Sequence, residues 1–343
     1  MANQLDAHYE MVVKAITQGQ VIPFLGAGVN VCGRPKGVAW RRGEYLPSGR
    51  ELAEYLGSEF AYPPKPIDCP VCGHPIQPGE KTRDLLRVAQ YAALMLGSND
   101  LYRKLREVFN DDYPPTPVHQ FLATLPGILR QKGYSSRYQL IVTTNYDDVL
   151  ERAFMAAGEP FDLVAYMAGG DHQGKFVHRS NDGEVYAIER PDEYRNLPLD
   201  PFGLKRTIIL KIHGAIDRTA PEGDSFVVTE DDYIDYVAHG DVPNPLPKML
   251  SAIMRYRHFL FLGYGLGDWN LRVILRRIWD ERKRTSKSWA IQLQPQPIDL
   301  EFWRQHDVVI LDVSLEDYMA SLKARLDELR PAEESLGAAA SRP

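Results

Sequence analysis

Two residues offer the most chemistry, and each stands just past an apolar run. Asn145 follows Leu140-Ile141-Val142-Thr143-Thr144, and His213 follows Ile208-Ile209-Leu210-Lys211-Ile212. An amide both donates and accepts hydrogen bonds, and an imidazole can exchange a proton near neutral pH. Each also has a plainer reading: Asn145 as the N-cap of a helix beginning near Asp148, His213 as a hydrogen-bonded structural residue. Two glycine-rich turns occupy equivalent places. Gly26-Ala27-Gly28, with Asn30 close behind, follows Val21–Leu25, and Gly263-Tyr264-Gly265-Leu266-Gly267-Asp268 follows Phe259–Leu262. Glycine in such turns permits positive φ and lets a pyrophosphate or ribose approach the main chain. The stricter G-x-G-x-x-G fingerprint is not completed, because Val31 holds its last position.

The position of these segments matters more than their identity. In open α/β sheets ligands bind beyond the carboxyl ends of the strands, where Gly28, Asn145, His213 and Gly263 would all lie. Six strands are predicted: Val21–Leu25, Leu140–Val142, Thr207–Ile212, Phe259–Leu262, Trp289–Leu293 and Val308–Val313. They are apolar throughout rather than alternating, as strands covered on both faces are. Helical periodicity falls near Glu51–Phe60, Asp84–Leu96, Leu101–Phe109, Val118–Leu125, Val149–Ala157, Asp231–Val237, Leu271–Glu281 and Leu315–Leu329. Leu5, Tyr9, Val12, Val13 and Ile16 mark one further helix, expected to pack beneath the sheet. Ser48 with Glu51 and Thr229 with Asp232 form capping boxes, and Thr116-Pro117 supplies a cap followed by proline at the first helical position. The predicted fold is α/β, a doubly wound, Rossmann-like, mostly parallel sheet of about six strands.

One domain is expected over residues 1–330, with a helical insertion at about 57–125, a polar, turn-rich insertion at about 161–205, and a disordered tail at 331–343. The chain of 343 residues is 44% hydrophobic and 25% charged, with a formal net charge of −6. That balance describes an ordinary globular protein and gives no basic excess for direct nucleic-acid binding. No apolar stretch is long enough to span a bilayer, and no signal peptide or Walker-type phosphate loop is recognisable, so a cytoplasmic protein that does not itself hydrolyse ATP is expected. Three cysteines fit a reducing compartment.

The four segments, in this order, resemble the sirtuin superfamily, specifically the divergent sirtuin-like domains of prokaryotic anti-phage defence NAD hydrolases. Gly26-Ala27-Gly28 matches the family's Gly-Ala-Gly turn, and His213-Gly214 matches its His-Gly. Thr144-Asn145-Tyr146-Asp147 stands where the family has Gln-Asn-Ile-Asp, Gly263-Tyr264-Gly265-Leu266 where it has Gly-Thr-Ser-Leu, and Ala290-Ile291-Gln292 where it has an Ile-Asn pair. The resemblance extends from about Val21 to Val313. It implies that NAD is bound as substrate by Gly26, Ala27, Gly28, Asn30, Gly263, Tyr264, Gly265, Asp268 and Gln292, with Asp147 near the nicotinamide amide. Asn145 would orient the nicotinamide ribose, and His213 would be the general base.

Two departures bear on the reaction. Protein-deacylating sirtuins carry two Cys-x-x-Cys pairs after the His-Gly, whereas no cysteine follows Cys72 here. The family's Pro-Asp-Phe-Arg stretch is also missing after the first glycine turn. Water is therefore the expected acceptor, and the implied activity is that of an NAD glycohydrolase with no required metal. Cys69-Pro70-Val71-Cys72-Gly73-His74 resembles half of a zinc knuckle, which Cys32 and His74 could complete only if the fold brought them together; the other readings are an eroded knuckle or an oligomer contact. The basic run Arg272, Arg276, Arg277, Arg282, Lys283, Arg284 and Lys287 suits a solvated face, or a subunit or nucleic-acid contact.

The resemblance further implies an anti-phage effector that depletes NAD. Without a recognisable second effector domain, its trigger would be self-assembly into an oligomer or a partner such as a HerA-type hexameric ATPase or an Argonaute. A second reading is a non-catalytic module that senses NAD or ADP-ribose. Protein deacylase and ADP-ribosyltransferase are weaker readings.

Overall fold

The computed structural model describes residues 2–62, 67–68, 71–76, 83–135, 137–200, 203–238, 246–266, 272–273, 275 and 287–332. Nine strands form its main sheet: β1 (Val21–Leu25), β2 (Leu140–Thr143), β3 (Phe161–Tyr166), β4 (Phe176–Arg179), β5 (Val185–Ala187), β6 (Thr207–Lys211), β7 (His258–Leu262), β8 (Ser288–Ile291) and β9 (Val308–Leu311), in the order β9-β8-β7-β1-β2-β6-β3-β4-β5. The first seven in that order are mutually parallel. β4 and β5 add an antiparallel hairpin at the far edge. All six predicted strands are present. The other three lie within the segment expected to be only polar and turn-rich, which enlarges the sheet from about six strands to nine.

Successive side chains of β1 feed two different cores, because a strand's side chains alternate between faces. Val21 and Leu25 join one cluster with Tyr9, Val12 and Ile16 of α1 (Ala2–Thr17), which packs under the sheet as its periodicity predicts. Ile22 and Phe24 join the opposite cluster, with Leu250, Met254 and Trp303. A third cluster belongs to α2 (Gly49–Glu59), α3 (Leu85–Leu96) and α4 (Ser98–Phe109), whose Leu52, Leu56, Val88, Leu105 and Val108 are buried against Tyr146, Val149 and Phe226. This helical set sits over the carboxyl end of β2. The next helix, α5 (Pro117–Gln131), packs instead beneath the sheet with α6 (Val149–Ala157) and contributes Val118, Leu122, Leu125 and Leu129 to the first cluster.

The three predicted caps form as drawn. Ser48 and Glu51 bond reciprocally at 2.8 and 3.3 Å, and Thr229 and Asp232 do so at 2.8 and 3.0 Å ahead of α7 (Glu230–Ala238). Pro117 opens α5 behind Thr116. Two helices had no prediction: α8 (Lys248–Tyr256) and α9 (Pro297–Gln305). The final helix, α10, runs Leu315–Asp327. The helix expected over Leu271–Glu281 lies almost wholly outside the described residues, as do most of the basic run, Cys69 and the tail from 333 onward.

Candidate functional site

Strand register aligns the ends of the central strands. Leu262, Leu25, Thr143 and Lys211 form one row across β7, β1, β2 and β6. The residues just past that row therefore emerge side by side, although the chain between them is long. They wall a cleft of about 410 Å³ lined by Gly26, Ala27, Gly28 and Asn30, by Thr144 to Asp147, by His213, and by Gly263, Tyr264 and Gly265. The cleft opens at the switch point of the sheet, where the chain leaves β1 toward β2 on one side and β7 toward β8 on the other. Ser48, Leu52, Leu85 and Phe109 of the helical set and Tyr233 of α7 complete the wall.

The two glycine turns are stitched together. Gly26 N–H donates to Leu262 O at 3.0 Å, and Gly28 N–H donates to Gly263 O at 2.7 Å. A Cβ at Gly28 would lie 2.5 Å from Gly263 O, so glycine here serves close approach of two backbones. The expectation of positive φ in this turn is corrected: Gly26 has φ −113°, while Gly263 across the seam has φ +64°. The stitching also commits two main-chain N–H groups that the sequence had offered to a pyrophosphate.

Asn145 is buried and does not cap the following helix, whose N-cap is Asp148. Its Nδ2 donates to Gly26 O at 3.3 Å and to Asn30 Oδ1 at 3.4 Å, and Asn30 in turn donates to Pro47 O at 3.3 Å. Both amide hydrogens are thus spent on the neighbouring turn, which turns the Asn145 carbonyl oxygen into the group available for a ligand hydroxyl. Asp147 uses Oδ1 to accept from Val149 N–H at 3.1 Å. Its Oδ2 is buried without a hydrogen-bond partner among the described residues.

His213 is 3% exposed, and burial pushes its pKa down from 6.5 to about 3, so the ring is neutral at pH 7. Its Nδ1 lies 3.1 Å from Tyr233 Oη, and its Nε2 is buried with no partner among the described residues. The main chain behind it is fixed, since Val227 N–H donates to His213 O at 2.9 Å. Gly214 adopts φ +90°, and a Cβ there would meet the carbonyl of Ser225. That is why glycine follows the histidine.

Sequence reasoning missed Lys211, Glu151 and Tyr233. Lys211, in the same strand as His213's approach, is 1% exposed, pairs with Glu151 at 2.6 Å and donates to the carbonyl oxygens of Tyr146 and Asp147. The available signal was a lone charge inside an apolar strand, two residues before His213. One predicted residue is not brought to the cleft: Gln292, just past β8, has its N–H on Leu311 O at 3.2 Å and lies outside the cleft wall. Asp268 lies outside the described residues. Cys32 is buried and Cys72 exposed, and among the described residues no three His, Cys, Asp or Glu side chains are grouped to hold a metal ion. None of the described helices is long and apolar enough to cross a membrane.

The family model of the SIR2-like domain matches residues 139–311, just over half of the chain. The chain belongs to the SIR2-like family. This SIR2-like chain is 23% identical over 347 residues to defense-associated sirtuin 2 of Bacillus subtilis, covering 96% of this chain and 28% of that protein. It is 30% identical over 200 residues to the NAD(+) hydrolase ThsA of Acinetobacter baumannii, covering 58% of this chain and 32% of that protein. It therefore spans about a third or less of the length of these curated relatives. Among solved structures, a mutant Sir2 homologue in complex with ADP ribose overlaps it only loosely, at a TM-score of 0.36 and 14% identity over 93% of this chain and 96% of that one.

Proposed function

We propose that this SIR2-like chain is an NAD glycohydrolase that cleaves NAD to nicotinamide and ADP-ribose. The observation that carries the reading is a convergence on one cleft: Asn145, Asp147 and a neutral His213 all line it beside two stitched glycine turns, and among the described residues Asp147 Oδ2 and His213 Nε2 have no hydrogen-bond partner. Asp147 Oδ2 is suited to accept from the nicotinamide carboxamide, and Asn145 to accept from a ribose hydroxyl. Breaking the bond between nicotinamide and ribose builds positive charge on the sugar, as in glycoside cleavage, and groups held in place beforehand stabilise it. The electron pair of that bond leaves with nicotinamide. Water then adds to the ribose carbon and gives a proton to His213 Nε2.

The name of one relative, defense-associated sirtuin 2, supports a setting of defence, and that of the other, an NAD(+) hydrolase, supports cleavage of NAD; the proposed setting is anti-phage defence, with cleavage in the cytoplasm depleting NAD. Activation would come from self-assembly or from a partner such as a HerA-type ATPase or an Argonaute. The reaction as drawn uses a base and oriented hydroxyls and calls on no metal ion. Purified protein, alone and with the product of its neighbouring gene, is to be incubated with NAD, and nicotinamide and ADP-ribose separated by chromatography. Weak turnover alone and strong turnover when assembled is expected, unchanged by chelator. NAD bound but uncleaved in every assembly state would refute the enzyme and favour a sensor.

A further inference from the structure

Resting on that reading of the cleft, we propose that Tyr233 is a positioning residue for His213, holding the imidazole in the tautomer whose Nε2 lone pair faces the cleft. Tyr233 stands in the first turn of α7, fixed there by the Thr229–Asp232 capping box. Its hydroxyl oxygen is 3.1 Å from His213 Nδ1. Its ring meets the imidazole edge to face, with centroids 5.1 Å apart and planes at 83°, and Tyr236 of the same helix does likewise at 6.2 Å and 82°. Two tyrosines three residues apart therefore fix the plane of the imidazole, and one of them addresses its inner nitrogen.

A neutral imidazole carries a single proton, on Nδ1 or on Nε2. A proton on Nε2 would find no protein acceptor among the described residues, whereas the Tyr233 hydroxyl oxygen is in place to accept one from Nδ1. On Nδ1 the proton is donated to Tyr233 Oη, and Nε2 keeps its lone pair. Only that second state is a base toward the cleft. When Nε2 takes the proton of the attacking water, the Nδ1–H bond to Oη persists and the hydroxyl oxygen faces the newly charged ring. Tyr233 itself gains and loses no proton.

The test reads the tautomer and the turnover separately. In the full chain labelled with 15N in histidine, wild-type His213 should show a protonated Nδ1 and a lone-pair Nε2, and Tyr233→Phe, which keeps the ring contact, should show a mixture. In the assembled enzyme, Tyr233→Phe should lower kcat roughly 10-fold or more, part of the ~10²–10⁴-fold a general base supplies, with KM for NAD changed less than about twofold. A merely structural tyrosine would move neither the tautomer nor kcat once the fold is shown intact. A protonated Nε2 in the wild type, or an unchanged tautomer and kcat in Tyr233→Phe, would overturn the assignment. NAD left uncleaved in every assembly state would instead sink the cleavage reading, and full turnover by His213→Ala the assignment of the base, while the 15N spectrum still decides which tautomer Tyr233 holds.

Discussion

Lys211 on β6 and Glu151 on α6 form an ion pair of 2.6 Å with side chains only 1% and 9% exposed. Burial pushes the Glu151 carboxyl up, and the Lys211 ammonium opposes that shift. Removing one member of such a pair strands a charge in the interior, whereas replacing both with apolar groups of similar size is often neutral. Lys211→Met should therefore cost about 3–5 kcal/mol, and Lys211→Met combined with Glu151→Leu much less, read from urea midpoints. The ammonium also holds the carbonyls of Tyr146 and Asp147, so the stable double variant should still lose NAD cleavage. A double variant as unstable as the single one would contradict this account of the pair.

Asn145 gives the second prediction. Its amide donates to Gly26 O and Asn30 Oδ1, both acceptors, so a carboxylate of the same shape would face two oxygens with no hydrogen to offer. Asn145→Asp should lower kcat/KM by at least as much as Asn145→Ala, roughly 100-fold or more, the scale of a lost transition-state donor or acceptor. Turnover close to wild type in Asn145→Asp would show that the carbonyl oxygen alone is sufficient and that the tether to the glycine turn is dispensable.

Much of the sheet was legible because its central strands are apolar on both faces and bounded by glycine or polar turns. Phe161–Tyr166 was not, and Asp162 explains why. A charge at the second position of a short strand reads as loop, yet Asp162 is fully buried, accepting from Arg206 at 2.9 Å and lying 2.9 Å from His178 Nε2. Those partners come from β4 and from the approach to β6, so nothing local announces them. The same holds at the site. Gly28, Asn145, His213 and Gly263 share a legible feature, their place after a strand, whereas Tyr233 reaches His213 from a helix whose local sequence reveals only its cap. Asn145 shows the converse limit: a favoured N-cap residue just ahead of a helix is drawn away from capping by oxygens in the turn that follows another strand.

Two buried histidines make stability depend on pH in a definite direction. Burial lowers His213 to about 3 and His119 to about 4, from 6.5. The unfolded chain therefore takes up protons first as pH falls below 6.5, and stability is lost progressively from there toward pH 4. Each histidine contributes about 1.4 kcal/mol per pH unit across that window. Urea midpoints should accordingly fall between pH 7 and pH 5. His119→Gln should reduce that fall by about a third, because His8, which burial lowers to about 4, acts in the same window, and a glutamine at 119 can still complete the capping box with Thr116 that His119 Nδ1 makes at 3.2 Å. A midpoint that stays level or rises toward pH 5 would mean the rings are not held neutral.

The seam between the two glycine turns supplies the last prediction, because two glycines of one cleft should behave oppositely. At Gly28 a Cβ would sit 2.5 Å from Gly263 O and 2.7 Å from Gly263 Cα, and both are main-chain atoms with no flexible side chain to yield. Gly28→Ala must therefore push β1's turn away from β7's and stretch the 2.7 Å bond from Gly28 N–H to Gly263 O. A cost of about 1–3 kcal/mol is expected, as for overpacking elsewhere. Gly265 also lines the cleft, but among the described residues a Cβ there meets nothing within 4 Å and its φ is not positive. Gly265→Ala should leave stability within about 0.5 kcal/mol of wild type. Parallel thermal or urea unfolding of the two variants decides the matter. If Gly28→Ala were as stable as Gly265→Ala, the turns would not be locked by close approach, and the cleft would owe its shape to the strands alone.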